Sequence, residues 1–101
     1  MANIREVLKT LTTRVLEGDG HASHAERRAA FDNGALGEPL ATLIRKVTGR
    51  AAEVTDQDVT AVRALGLGED HIFEIVVCAA VGHATRQHDL ALAALEAALK
   101  E

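Results

Sequence analysis

His71, Glu74, Cys78 and Gly82 fall within roughly 80° of one another on a helix of 3.6 residues per turn. That face carries a thiol, a carboxylate one turn before it, and an imidazole. Glu74 is placed to accept or relay the thiol proton, and Gly82 leaves room for a substrate or a second helix. The structural alternative is a buried cysteine with Glu74 at the helix rim. A neighbouring carboxylate raises a thiol's pKa, which works against reactivity. Cys78, Glu74 and His71 are therefore the candidate catalytic residues, with both readings open.

The remaining polar groups form weaker patterns. His83, Arg86, His88 and Asp89 make a polar insert, but His83 and His88 lie about 140° apart on the wheel, poor for one shared metal. His21 and His24 supply half a metal site with no partner at suitable spacing. Gly66-Leu67-Gly68 lacks a preceding strand and a third glycine, so it reads as a helix-to-helix turn and not as a nucleotide loop. Ser23, the single serine, reads as a helix cap. No metal and no cofactor is expected.

The elements that would position these residues are helical. Ile4, Val7, Leu8, Leu11 and Val15 follow a helical stripe, with Asn3 and Glu6 at capping-box spacing and Gly18-Asp19-Gly20 as the stop. Ser23 and Glu26 open a short helix to about Phe31, on which Arg27 and Arg28 are expected to face solvent. Pro39 suits the first turn of a third helix carrying Leu40, Leu43, Ile44 and Val47. Thr55 caps a fourth with Val59, Val62 and Leu65, and Gly66 is expected at a left-handed ending. The last helix begins at Glu69-Asp70 and reaches about Leu99. From Ile72 to Ala84 it is apolar all round, which predicts burial in a core or between subunits. Thr85 to Asp89 marks emergence into solvent or a break.

Composition bounds the rest. The chain has 101 residues, 48% of them apolar, with 19 Ala, 12 Leu, 9 Val and 4 Ile but only two aromatics, Phe31 and Phe73. One globular domain, residues 1–101, is expected. The net charge is −4, so neither a basic patch nor an aromatic platform exists for nucleic acid. Five histidines would take the charge to +1 in mild acid. The longest apolar run, residues 75–82, is too short for a bilayer, and the N-terminus is mixed and polar. A cytoplasmic protein with no membrane partner is expected. One cysteine excludes an internal disulfide.

A longer pattern adds a family. Val54-Thr55-Asp56-Gln57-Asp58-Val59 leads into Val62-Arg63-Ala64-Leu65-Gly66-Leu67, then Glu69-Asp70-His71-Ile72-Phe73-Glu74 and Ala79-Ala80-Val81-Gly82. Over about residues 54–99 this resembles the C-terminal half of the carboxymuconolactone decarboxylase and alkylhydroperoxidase D-like family. The resemblance implies an all-α fold with an antiparallel helical core, assembled as trimers or multiples of trimers. Its redox members carry Glu-x11-Cys-x2-Cys-x3-His. Counted back from Gly66, the two cysteines fall at Ala51 and Val54, the histidine at Asp58 and the glutamate near Pro39, beside Glu38. None of those catalytic residues carries over, and Cys78 lies on the following helix.

The expectation is thus an all-α protein of about five helices whose last three form the core. It is a non-redox homo-oligomer serving as a binding or accessory protein. The alternatives are an acid–base or single-cysteine enzyme of the same family and an unrelated small helical adaptor. Gly66 is expected to matter more to stability than any ionisable residue.

Overall fold

Capping chemistry explains where the helices begin. The structure, a computed structural model, describes residues 3–100. Five helices follow in order: α1 (Ile4–Glu17), α2 (His24–Phe31), α3 (Leu40–Gly49), α4 (Asp56–Arg63) and α5 (Glu69–Leu99), with a 3-10 turn at Ala51–Glu53. No strand occurs among the described residues. Ser23 and Glu26 close a reciprocal capping box on α2, as do Thr55 and Asp58 on α4, so each box satisfies backbone N–H groups that have no helical partner. Asn3 caps α1 through the N–H of Arg5, without the box that its spacing to Glu6 suggests. Pro39 stands at the N-cap of α3 rather than inside its first turn. Gly66 has φ +88°, the left-handed region where a Cβ would be strained, and it turns the chain from α4 into α5.

Helix α5 is the axis of the molecule. Its 31 residues span about 46 Å at 1.5 Å per residue, against a longest dimension of 52 Å. The polar insert at Thr85 to Asp89 does not break it but marks its emergence, since most residues from Gln87 on are exposed. The core collects Ile72, Ile75, Cys78 and Ala79 from α5, Leu40, Leu43 and Ile44 from α3, Val62 from α4, and Ala22 and Ala30 from the α2 region. The last three helices were expected to form this core, but α2 and then α1 are the most extensive neighbours of α5, with α3 next. Direction follows from the contacts. Val15 of α1 meets Cys78, while Leu8 stands with Thr85 and His88, so α1 runs antiparallel to α5. Glu26 meets His71 and Phe31 meets Gly82, so α2 runs the same way as α5.

Two apolar expectations change. The stretch from Ile72 to Ala84 is buried on one side only: Ile75 and Ala79 are fully enclosed, whereas Phe73 is 67% exposed. On α1, Val15 and Leu16 reach the core, but Ile4, Val7 and Leu11 face outward.

Candidate functional site

The three candidate residues occupy the face of α5 that receives the α1–α2 loop and the start of α2. Each has a partner there. Glu74 Oε2 accepts from the backbone N–H of Ala22 at 2.7 Å and of His21 at 2.8 Å, and Oε1 accepts from His21 at 2.9 Å. Burial acts to raise the Glu74 pKa. The Ala22 and His21 donors outweigh it, with help from the charge of Arg27, and hold the carboxyl below its usual range. A Cβ on Gly20 would stand 2.8 Å from the Glu74 carboxyl carbon, so the small residue lets the loop close on that carboxylate.

Cys78 is 1% exposed and its Sγ donates to the carbonyl of Val15 at 3.2 Å. Burial pushes its thiol pKa up; the Arg27 charge opposes this and the Glu74 charge adds to it. A reactive thiol needs the reverse, a lowered pKa and a route to solvent. His71 Nε2 lies 3.1 Å from Glu26 Oε1 and 3.3 Å from Oε2. The same Glu26 closes the capping box of α2, so that pair joins the starts of α2 and α5.

The residue that organises this face was expected in solvent. Arg27 is 4% exposed. Its guanidinium donates to the carbonyls of Ala22 at 3.1 Å, Gly18 at 2.6 Å and Val15 at 3.4 Å. Carbonyls at the C-terminal end of a helix have no intrahelical donor, and a cation there also favours the helix dipole. The guanidinium fork supplies several donors at once, which explains burial of the charge. Nothing near Arg27 in the chain signals this, because its acceptors lie up to twelve residues earlier.

Gly82 also has a defined role. A Cβ there would stand 2.7 Å from the carbonyl carbon of Phe31, so glycine lets the end of α2 cross α5. Arg86 donates to that same Phe31 carbonyl. Of the two expectations for Gly82, a substrate or a second helix, the second holds: helix α2 takes the place.

An open cleft of about 550 Å³ adjoins this face, lined by His21, the Gly66–Gly68 turn, Glu69, Asp70 and His71. His21 Nε2 lies 3.7 Å from Asp70, and both side chains are largely exposed. Across the molecule, Lys46 bonds Asp58 at 2.8 Å. That bond and the Thr55 backbone N–H hold the Asp58 carboxyl below its usual range against the opposing effect of burial. Asp58 thus ties α3 to α4. No group of three or more metal-binding side chains occurs among the described residues.

Comparison with protein-family models, with curated proteins and with solved structures found no match to this chain. No helix among the described residues is long and apolar enough to cross a membrane.

Proposed function

We propose that this chain is a non-redox helical binding or accessory protein that works as a homo-oligomer. The observation that supports it is the commitment of the whole candidate face to the chain's own fold. Cys78, Glu74 and His71 each bond a group of α1, α2 or the loop between them. A nucleophile needs a thiolate within reach of substrate, whereas Cys78 is enclosed with its pKa raised. The resemblance to the carboxymuconolactone decarboxylase and alkylhydroperoxidase D-like family belongs to this proposal, carried by the turn at Gly66 and the helix that follows. The test is turnover of an organic hydroperoxide with a thiol reductant. No turnover is expected. Steady turnover that disappears in Cys78→Ser would overturn the reading.

The competing acid–base reading has one observation in its favour. His71 and Glu26 pair at the edge of the open cleft, where a proton could be passed to a bound molecule. Titrating the cleft with small carboxylic acids, followed through the His71 ring resonances by NMR, separates the two. Unmoved resonances support the accessory reading, and saturable shifts support the acid–base one.

A further inference from the structure

A second cleft, of about 430 Å³, lies between the first half of α1 and the middle of α5. That volume is within the roughly 300–1,000 Å³ of small-molecule sites. None of Cys78, Glu74 and His71 lines it. Leu8 of α1 and Phe31 at the end of α2 supply its apolar lining, and both are half-buried.

The free side-chain donors of this cleft are of one kind. Thr12, Thr13 and Thr85 each donate their hydroxyl to the carbonyl four residues earlier, at 2.7, 3.1 and 2.8 Å, so no hydroxyl donor is left over. The donors that remain are Arg5, Lys9 and His88. Arg5 and Lys9 stand about one turn apart on the same face of α1. Both are exposed, and neither makes an ion pair with a described residue. Across from them on α5, His88 Nδ1 is enclosed without a hydrogen bond and lies 3.5 Å from Asp89 Oδ1, so Nε2 is the ring nitrogen left to a ligand. The chain carries −4 overall, yet this cleft sets two cations against the single carboxylate of Asp89.

We infer that this cleft binds a small organic carboxylate with an apolar body, such as a medium-chain fatty acid. Each free side-chain donor is a cation or an imidazole, so the polar end of the ligand accepts hydrogen bonds and carries negative charge. Arg5 and Lys9 are exposed at the rim, whereas Leu8 and Phe31 are more enclosed. The head group therefore sits outermost, between the two cations and His88, and the body passes inward. A bare anion would leave the apolar lining unused, and a neutral chain would gain nothing from the cations. The site gives the binding part of the proposed function a ligand class and rests on that part alone. Turnover at Cys78 would leave this cleft unchanged, so the two readings fail separately.

The test is titration of the full chain with octanoate, octanol, acetate and inorganic phosphate, followed by NMR. Millimolar octanoate is expected to shift the His88 ring resonances and the amides of Arg5, Leu8 and Lys9 saturably, with His71 unmoved. Octanol has the chain without the charge, and acetate the charge without the chain. Each is expected to bind at least about tenfold more weakly. Arg5→Gln combined with Lys9→Gln, both at exposed positions, is expected to weaken octanoate about tenfold with the circular dichroism spectrum unchanged. No saturable shift, or shifts at His71 in place of His88, overturns the proposal. Octanol binding as tightly as octanoate would show an unselective apolar groove. Acetate or phosphate binding as tightly would show an adventitious ion only. Either result overturns the proposal, as does a folded double variant that keeps its affinity.

Discussion

Glu74 and Arg27 hold the two ends of one residue. The N–H of Ala22 donates to Glu74 at 2.7 Å, and its carbonyl accepts from Arg27 at 3.1 Å. Ala22 itself is buried in the core. A loop residue can be buried only if its backbone groups are paired, and here two opposite charges from different helices do the pairing. Beside them, burial raises the pKa of the Cys78 thiol, while the Arg27 and Glu74 charges act on it in opposite directions.

Removing the carboxylate should loosen the loop. Glu74→Gln keeps the size of the side chain but replaces a charged double acceptor with a neutral one. The expected cost is about 1 kcal/mol, below the roughly 1.5–3 kcal/mol usual for hydrogen bonds to a charged group, because the site is partly solvated. Urea melts at neutral pH check this, and an unchanged midpoint would show that the clamp contributes nothing.

The acid limb follows from the same group. Glu74 and Asp58 both have folded-state pKa values below their unfolded ones. A depressed carboxyl contributes stability that is present above its unfolded pKa and is lost as pH falls through the folded one. Stability should therefore decline as pH drops below about 4.5. The decline should be shallower in Glu74→Gln. Thermal melts from pH 7 to pH 3 measure both slopes.

Arg27 should be the most sensitive ionisable position. Arg27→Leu removes the donors of three carbonyls and leaves the end of α1 unsatisfied; about 2–4 kcal/mol is expected. Arg27→Lys should recover only part, since a single ammonium cannot reproduce a planar fork. Urea denaturation of both variants ranks them, and equal losses would contradict the fork geometry.

The glycines should divide by mechanism. At Gly82 an added methyl meets the backbone of Phe31, which cannot yield like a flexible side chain. Gly82→Ala should cost about 1–3 kcal/mol by overpacking, despite the better helix propensity of alanine. At Gly66 nothing lies within 4 Å of a Cβ, so Gly66→Ala should cost only the left-handed strain, about 1 kcal/mol. His88→Ala should cost no more than about 1 kcal/mol: its side chain is partly covered, but Nδ1 makes no hydrogen bond and only lies 3.5 Å from Asp89. Thermal melts of the three variants test the order. A larger loss in Arg27→Leu than at Gly66 would overturn the expectation that Gly66 outweighs every ionisable residue.

What was legible beforehand was local. Ser23 with Glu26, Thr55 with Asp58, and Gly66 before Leu67 act within a few residues, so type and spacing reveal them. Arg27 looked solvent-facing because a helix of eight residues with a weak stripe does not reveal which side is covered. The partners of Glu74 and His71 lie 52 and 45 residues away, and those pairings exist only once α2 docks on α5. Cys78, Glu74 and His71 do share one face of α5, but its chemistry depends on the donors and acceptors that α1 and α2 bring to it.

The central claim is that Cys78 is a locked structural thiol. Its rate of reaction with an aromatic disulfide reagent, measured at pH 7 in the native protein and in urea, tests that most directly. The account predicts a native rate at least about 100-fold below the unfolded one, because a buried, protonated thiol is neither reachable nor nucleophilic. A native rate equal to or faster than the unfolded rate would contradict it and return Cys78, Glu74 and His71 to the status of a reactive site.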